Sequence, residues 1–136
     1  MSQYRWIALG YASLLFLAGL TNYIPGLTDE QGRAFGVFSL DIFDDLLHFA
    51  SAAWALIAAW LSRRASIIFL RTFGTLYLLD GLLGLATGSG YLDLGILRYG
   101  IVPQPVSIRI LANLPHLALG GFAIVAGFLL PRWRPN

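Results

Sequence analysis

The sequence predicts an all-α fold, an integral membrane four-helix bundle made of two repeated helical pairs. Hydrophobic residues make up 57% of the 136-residue chain, and charged residues make up 12%. That charged share is about half of what soluble domains carry. The chain also contains four long apolar runs, and the second and fourth of these align without a gap around a histidine. Composition and repeat together therefore predict a membrane protein.

The four apolar runs extend from Trp6 to Ile24, Leu46 to Leu61, Ile67 to Ala86 and Ile110 to Leu130. Each run approaches the roughly 20 residues that a membrane-spanning helix needs. With their flanks, the runs predict helices at about 5–25, 41–62, 66–87 and 106–130 in a single transmembrane domain of residues 1–136. The first run is expected to be a helix of the bundle rather than a cleaved signal peptide.

The basic residues predict how the helices are oriented. All nine are arginines, and six of them would share one side with both termini: Arg5, Arg63, Arg64, Arg71, Arg132 and Arg134. Three would lie on the other side: Arg33, Arg98 and Arg109. By the positive-inside rule we expect a multi-pass protein of the cell inner (plasma) membrane with both termini in the cytoplasm. The positive charge is explained by this topology, so no nucleic-acid partner is expected.

The repeat is clearest around the two histidines of the chain. From Asp41 the first copy reads DIFDDLLHFASAAWALIAAW, and from Arg109 the second reads RILANLPHLALGGFAIVAGF, with His48 and His116 each in eighth place. Small residues follow each histidine on one helical face: Ala52, Ala55 and Ala59, then Gly120, Ala123 and Gly127. We expect these stripes to pack the second and fourth helices against each other. Asp41 and Arg109 are candidates for an ion pair at the outer end.

A polar cluster is expected near the outer ends of the helices. Asp80 lies in the third apolar run, where a central aspartate costs about 2.5–3.5 kcal/mol on an insertion scale. Counted from the predicted helix ends at about 1.5 Å per residue, Asp80, His48 and His116 lie at a similar depth of roughly 10 Å. The cluster is expected to include three more residues: Asp44, Asp45 and Asn113.

Two short motifs, Asp45-Leu-Leu-His48 and Asn113-Leu-Pro-His116, open the second and fourth helices. Together with the Ile-Pro-Gly turn at Ile24 to Gly26, they resemble a family of small four-span bacterial membrane proteins of unknown function that repeat an Asn/Asp-x-x-His signature. The resemblance implies the fold and no activity. This chain departs from a symmetrical pattern in having Asp45 where the other copy has Asn113, and in Pro115, which is expected to bend the fourth helix.

The favoured interpretation of the signature is structural. An Asp or Asn early in a helix accepts backbone N–H bonds and suits the positive end of the helix dipole. A histidine one turn later can bond to a neighbouring helix, with Asp80 as the partner of the histidines or of an outer-loop backbone. In this interpretation no cofactor is required.

Two cofactor hypotheses are kept as alternatives. His48 and His116 on symmetry-related helices are suited to be the two axial ligands of haem b. The Asp-x-x-His spacing also places oxygen and nitrogen ligands for a divalent metal on one helix face. Proton passage and quinone chemistry are further alternatives, although the inner halves of the helices offer no complete relay of ionisable residues.

The sequence favours a non-catalytic role. It contains no nucleophile elbow and no phosphate-binding loop. We therefore predict an accessory, structural or assembly subunit of a larger membrane complex, with the lipid bilayer and other integral membrane subunits as partners. The alternative is a haem- or metal-binding membrane redox protein that uses His48 and His116.

Overall fold

The computed structural model describes residues 2–38 and 41–129 of the chain. Its helices are α1 (Gln3–Leu20), continued by a 3-10 turn (Thr21–Tyr23), then α2 (Ile42–Leu61), α3 (Arg63–Thr87), α4 (Gly95–Tyr99) and α5 (Val106–Phe128). The all-α prediction is confirmed for these residues. Residue 130 at the predicted end of the last helix, Arg132 and Arg134 lie outside the described residues.

Three helices in the described part of the chain are long and apolar enough to cross a membrane, and they are α2, α3 and α5. The first helix, α1, has 18 residues and begins with the polar side chains of Gln3 and Arg5. Such lengths and compositions are those of a membrane protein.

Local capping explains where α2 and α3 begin. The Asp41 carboxylate accepts the backbone N–H groups of Phe43 at 3.0 Å and Asp44 at 3.1 Å, and the Asp44 carboxylate accepts the Asp41 N–H at 3.1 Å. This reciprocal capping box satisfies amides that the first helical turn leaves free. At the other end of α2, the Ser62 hydroxyl accepts the N–H of Ala65 at 3.0 Å. Ser62 is therefore the N-cap of α3, which follows α2 directly. The tight turn makes α2 and α3 antiparallel.

The helices pack mainly as two pairs, α1 with α2 and α3 with α5, while α3 also contacts α2 and α1. The small-residue stripe of α5, Gly120, Ala123 and Gly127, lies against α3. A Cβ atom built on Gly120 would lie 2.9 Å from the Gly74 carbonyl oxygen, and one on Gly127 would lie 3.1 Å from the backbone nitrogen of Arg71. The predicted packing of the two small-residue stripes against each other is therefore wrong. A stripe of small residues indicates that some helix approaches closely, but it does not identify which helix.

The stripe on α2 is likewise buried within its own pair. Ala52, Ala55 and Ala59 are all buried. Arg5 of α1 reaches the end of this stripe, where its Nε donates to the Ala59 carbonyl at 2.7 Å and its Nη2 to the Trp60 carbonyl at 2.9 Å. These carbonyls belong to the last turn of α2, where no helical N–H remains to pair with them. Arg5 therefore fastens the start of α1 to the end of α2.

An aromatic core fills the space between the two pairs. Phe69 and Phe73 stack with ring centroids 4.9 Å apart, and Tyr11 of α1 lies edge-on to Phe73 at 5.3 Å. The Tyr11 hydroxyl donates to the Leu119 carbonyl of α5. Tyr11 therefore joins the first helix to the last one as well as to α3.

The sequence did not predict α4. This helix has five residues and lies in the connection between α3 and α5, where Gly88 ends α3 in the left-handed conformation at a φ of 81°. Such a C-terminal glycine is a common way to stop a helix. The connection is thus folded rather than extended, and α4 brings Arg98 close to the start of α2.

We predict that Gly120→Ala lowers the thermal unfolding midpoint of the detergent-solubilised protein, because the new methyl group would collide with the backbone of α3. Overpacking of this kind costs about 1–3 kcal/mol. Gly121→Ala is the matched control, since no described atom lies within 4 Å of a Cβ atom at that position. Its midpoint should be unchanged or higher, because alanine favours helix over glycine. Equal midpoints for both variants would contradict the close α3–α5 packing.

Candidate polar site at the outer ends of the helices

The site is organised by Asp80 of α3, a carboxylate that is only 4% exposed. Its Oδ1 accepts the backbone N–H groups of Tyr91 at 2.8 Å and Leu92 at 3.0 Å. Its Oδ2 is hydrogen-bonded to Nδ1 of His116 on α5. Because the carboxylate is the acceptor, Nδ1 carries the proton in this pair. One buried side chain therefore joins α3, α5 and the loop between them.

Glycines make this close arrangement sterically feasible. A Cβ atom on Gly90 would collide with the Asp80 carboxylate, and one on Gly84 would collide with the Asn113 side chain. On the same face of α3, a Cβ atom on Gly81 would lie 2.9 Å from the side chain of Leu117. The absence of side chains at these positions lets the loop and α5 approach α3 at the level of Asp80.

His116 is also held by an aromatic contact. The ring of Tyr77 lies 4.8 Å from the His116 ring, centroid to centroid, and the Tyr77 hydroxyl lies 3.3 Å from the hydroxyl oxygen of Ser51 on α2. All three helices α2, α3 and α5 thus contribute to one buried polar column. The Ser51 hydroxyl is thus engaged within this column.

His48 lies beside this column but is bonded differently. Its side chain is 9% exposed, and its Nδ1 is buried without a hydrogen-bond partner among the described residues. His48 and His116 both line a cavity of about 200 Å³ bounded by α1, α2, α5 and the loop after α1. The predicted triad therefore meets only in part: Asp80 bonds His116, while His48 faces the same cavity with a free ring nitrogen.

The other members of the predicted cluster have separate partners. Asp45 accepts a hydrogen bond from the Tyr23 hydroxyl at 2.8 Å, and this bond raises the pKa of Tyr23 above its ordinary value. Asp44 belongs to the capping box of α2. The Asn113 side chain donates to the Arg109 carbonyl one turn earlier in α5, at 2.8 Å. The bonds of these three residues therefore go to Tyr23, to the start of α2 and to the α5 backbone.

Asp41 forms its ion pair with Arg98 of α4, at 2.7 Å, and not with Arg109. Arg109 instead donates to the Gln104 carbonyl at 3.3 Å. Burial alone would raise the pKa of Asp41, but the hydrogen bond from Arg98 and those from the α2 backbone lower the pKa below its ordinary value. The Arg98 guanidinium also lies 4.1 Å from the centroid of the Phe43 ring. Arg98 was missed in the sequence because nothing there indicated α4.

Donor sets for a metal are sparse in this region. Across residues 2–38 and 41–129, no three His, Asp or Glu side chains come together in a way that would hold a metal ion. The cavity between the histidines is also smaller than the roughly 300–1,000 Å³ of pockets that hold drug-sized ligands. A porphyrin is therefore too large for it. What the arrangement can do chemically is hold a loop, through Asp80, and offer one imidazole nitrogen, through His48.

We predict that Asp80→Leu destabilises the protein strongly, because His116 and two loop amides would lose their acceptor. Leaving a buried hydrogen-bond donor without its acceptor typically costs about 1–3 kcal/mol. Asp80→Asn keeps a carbonyl oxygen for the loop amides and should cost less. The measurements are thermal unfolding and hydrogen exchange at the Tyr91 and Leu92 amides, which should lose protection in Asp80→Leu. Equal stability of the two variants would show that Asp80 does not hold the loop.

A second prediction concerns the titration of Asp41. Its folded-state pKa is lowered, so its pair with Arg98 stabilises the fold above the unfolded pKa of about 3.9 and is lost as the pH falls through the folded pKa. Arg98→Gln should raise the pKa of Asp41 towards 3.9 in a carboxyl NMR titration. Arg33→Gln, which removes the separate pair with Asp29, is the control and should leave Asp41 unchanged. If Arg98→Gln also leaves it unchanged, the pair does not persist in solution.

Comparisons of the chain with known proteins returned no match. No protein-family model matches it, and no curated protein or solved structure is significantly similar to it. The resemblance to small four-span bacterial membrane proteins therefore stays a proposal. Function is inferred from the packing, burial and hydrogen bonds of the chain itself.

Proposed function

We propose that the chain is a four-span membrane bundle in which α1–α2 and α3–α5 are two copies of one helical pair. One support is that arginine side chains donate hydrogen bonds to corresponding backbone carbonyls of α2 and α5. Nε of Arg5 donates to the Ala59 carbonyl, and Nε of Arg71 donates to the Gly127 carbonyl, each at 2.7 Å. Ala59 and Gly127 are the residues that the histidine alignment makes equivalent. An arginine of the partner helix therefore bonds the same position of α2 and of α5.

At the outer ends, the residues that follow the two histidines also contact a glycine of the partner helix. A Cβ atom on Gly19 would lie 2.8 Å from the ring of Phe49, and one on Gly81 would lie 2.9 Å from the side chain of Leu117. Phe49 and Leu117 each follow a histidine directly. Gly19 of α1 thus corresponds to Gly81 of α3, which supports counting α1 as a fourth span.

The orientation we propose places the inner ends, with Arg5 and Arg71, at the cytoplasmic face of the plasma membrane. Arg5 lies beside Trp60, the kind of residue that is enriched at membrane interfaces. Arg63 and Arg64 lie in the tight turn region between α2 and α3 at the same end. This arginine excess supports cytoplasmic termini under the positive-inside rule.

Within the membrane the chain acts as a non-catalytic accessory or structural subunit of a larger complex. The observation that carries this proposal is the use of Asp80. Its bonds go to His116 and to the backbone of Tyr91 and Leu92, so the charged group of the third span is engaged in holding the fold. An ionisable group committed in this way supports packing rather than chemistry.

A surface suited to a partner helix lies between α1 and α2. It is a groove of about 420 Å³ with small residues along it, among them Ala12, Ser13, Ala52 and Ala53. Phe16 and Leu56 line its sides and are about half exposed. Small residues let helix backbones approach closely in lipid, where packing contacts drive association. This groove is the place where we expect another membrane subunit to dock.

The haem or metal alternative has one observation in its favour. Nδ1 of His116 bonds a carboxylate, as metal-ligating histidines commonly do through the nitrogen that is not coordinated. The volume of the cavity and the position of His48 do not suit haem b between the two rings. An absorption spectrum of the purified protein together with metal analysis separates the alternatives, because a Soret band or a stoichiometric metal would replace the packing proposal.

The accessory role is tested by site-specific crosslinking in native membranes. The chain has no cysteine, so one cysteine can be introduced at a time and labelled with a photoreactive group. We predict that Ala53→Cys, in the groove, gives one discrete protein adduct of higher mass. Ala53 is exposed, so labelling should not disturb the core.

The matched control is Thr72→Cys, which is exposed on α3 at a similar distance from the cytoplasmic helix ends. It should give lipid adducts only. The same protein adducts at both positions, or a native mass in nanodiscs equal to that of one chain with no adduct at Ala53→Cys, would refute the accessory role.

A further inference from the structure

The cavity between the histidines has mostly apolar walls. It is bounded by Leu15 and Ala18 of α1, by Phe35 and Phe38 of the following loop, and by Leu119 of α5. Its volume of about 200 Å³ is slightly larger than a cavity of about 150 Å³ that holds benzene in another protein. The space therefore fits one substituted six-membered ring.

One polar atom in this wall lacks a partner. Nδ1 of His48 is buried and forms no hydrogen bond to any residue that the structure describes, while the equivalent atom of His116 bonds Asp80. The helix that packs beside each histidine explains the difference, because Gly81 contacts Leu117, next to His116, and Gly19 contacts Phe49, next to His48. Asp80 precedes Gly81, and the residue that precedes the corresponding Gly19 is Ala18. The first copy therefore has a methyl group where the second has a carboxylate.

An apolar groove continues from the cavity towards the cytoplasmic side. It runs between α1 and α5, has a volume of about 380 Å³, and shares Leu14 and Leu119 with the cavity. Gly10 and Phe122 line it further along, and a Cβ atom on Gly10 would meet no described atom within 4 Å. A ring held in the cavity would thus have room for an apolar chain along the groove.

We infer that this cavity binds a lipid with a single oxygen-bearing ring as head group and an apolar tail, the chemistry of an isoprenoid quinone. The ring occupies the space between α1, α2 and α5, and the tail follows the groove past Leu14 and Gly10. Nδ1 of His48, in the tautomer that carries a proton there, donates to a ring carbonyl. The walls supply apolar contact, and His48 supplies the one polar contact that sets the position of the ring.

The site is separate from the α1–α2 groove, so its occupancy can be tested whether or not the chain belongs to a complex. The probes are a benzoquinone with a decyl tail, the tail-less tetramethyl benzoquinone, and decylbenzene, which has the tail but no oxygen. Titrations use the full chain in nanodiscs with ¹⁵N-labelled histidine, because the two imidazoles of the chain then report directly on the cavity.

Three variants test the three parts of the inference. His48→Phe keeps a ring but loses the donor, and should weaken both quinones about tenfold, the value of one hydrogen bond, while leaving decylbenzene unchanged. Ala18→Leu fills the cavity and should abolish the shift of His48 with every probe. Gly10→Leu obstructs the groove and should weaken only the tailed probes. Thr72→Leu, exposed on α3 and away from the cavity and the groove, is the control and should bind all probes normally.

The results that overturn the inference are equally specific. Unchanged quinone binding in Ala18→Leu would place the probe elsewhere. Equal effects of His48→Phe on quinones and decylbenzene would show that the ring oxygen is not recognised. Equal affinity for the tailed and tail-less quinones would exclude a lipid and point to a free small aromatic. Circular dichroism of each variant verifies that a lost signal does not come from unfolding.

Discussion

A buried carboxylate in an apolar helix has to be bonded on both oxygens, and much of this structure follows from how Asp80 meets that requirement. Water does not reach such a position easily, so an unpaired charge there would be costly. The chain brings partners from two directions, the loop amides of Tyr91 and Leu92 and the ring of His116. The loop can approach only because Gly90 has no side chain. The register of α3 against α5 and the fold of the outer connection are thus both set by one residue.

His48 and His116 differ in whether a hydrogen-bond acceptor lies beside the ring nitrogen Nδ1. A buried polar group left without a partner costs about 1–3 kcal/mol. For His116 that cost is avoided by Asp80, whereas the cavity beside His48 is lined by Ala18, which has no side-chain acceptor. The small side chain of Ala18 also leaves space next to the His48 imidazole. An unpaired donor and a cavity therefore arise together, which is the combination expected of a binding site rather than of a packing fault.

Much of the fold was predictable because membrane-spanning helices can be recognised by their length and composition. The helices α2, α3 and α5 lie where the apolar runs are found. The site was predictable only in part. The depth of His116 and Asp80 follows from residue counting, so their meeting was expected. The choice of which helices pack together could not be predicted. The small-residue stripe from Gly120 to Gly127 is equally suited to contact α2 or α3, and which of the two it contacts depends on the whole chain. Arg98 was missed for a different reason: α4 has five residues and no hydrophobic period that would reveal it.

The two ends of the bundle are stabilised by different physics. Where α2 and α5 end, Arg5 and Arg71 donate to carbonyls of the last helical turn, so the positive side chains are paired with the negative ends of helix dipoles. No carboxylate is needed there. At the other end, the Asp41 carboxylate caps the start of α2, which suits the positive end of that helix dipole. The Asp80 carboxylate there accepts loop amides. Because the carboxylates at this end accept backbone N–H groups of a helix start and of a loop, the polar residues are concentrated there, whereas the opposite end is held by arginines on carbonyls and by apolar packing.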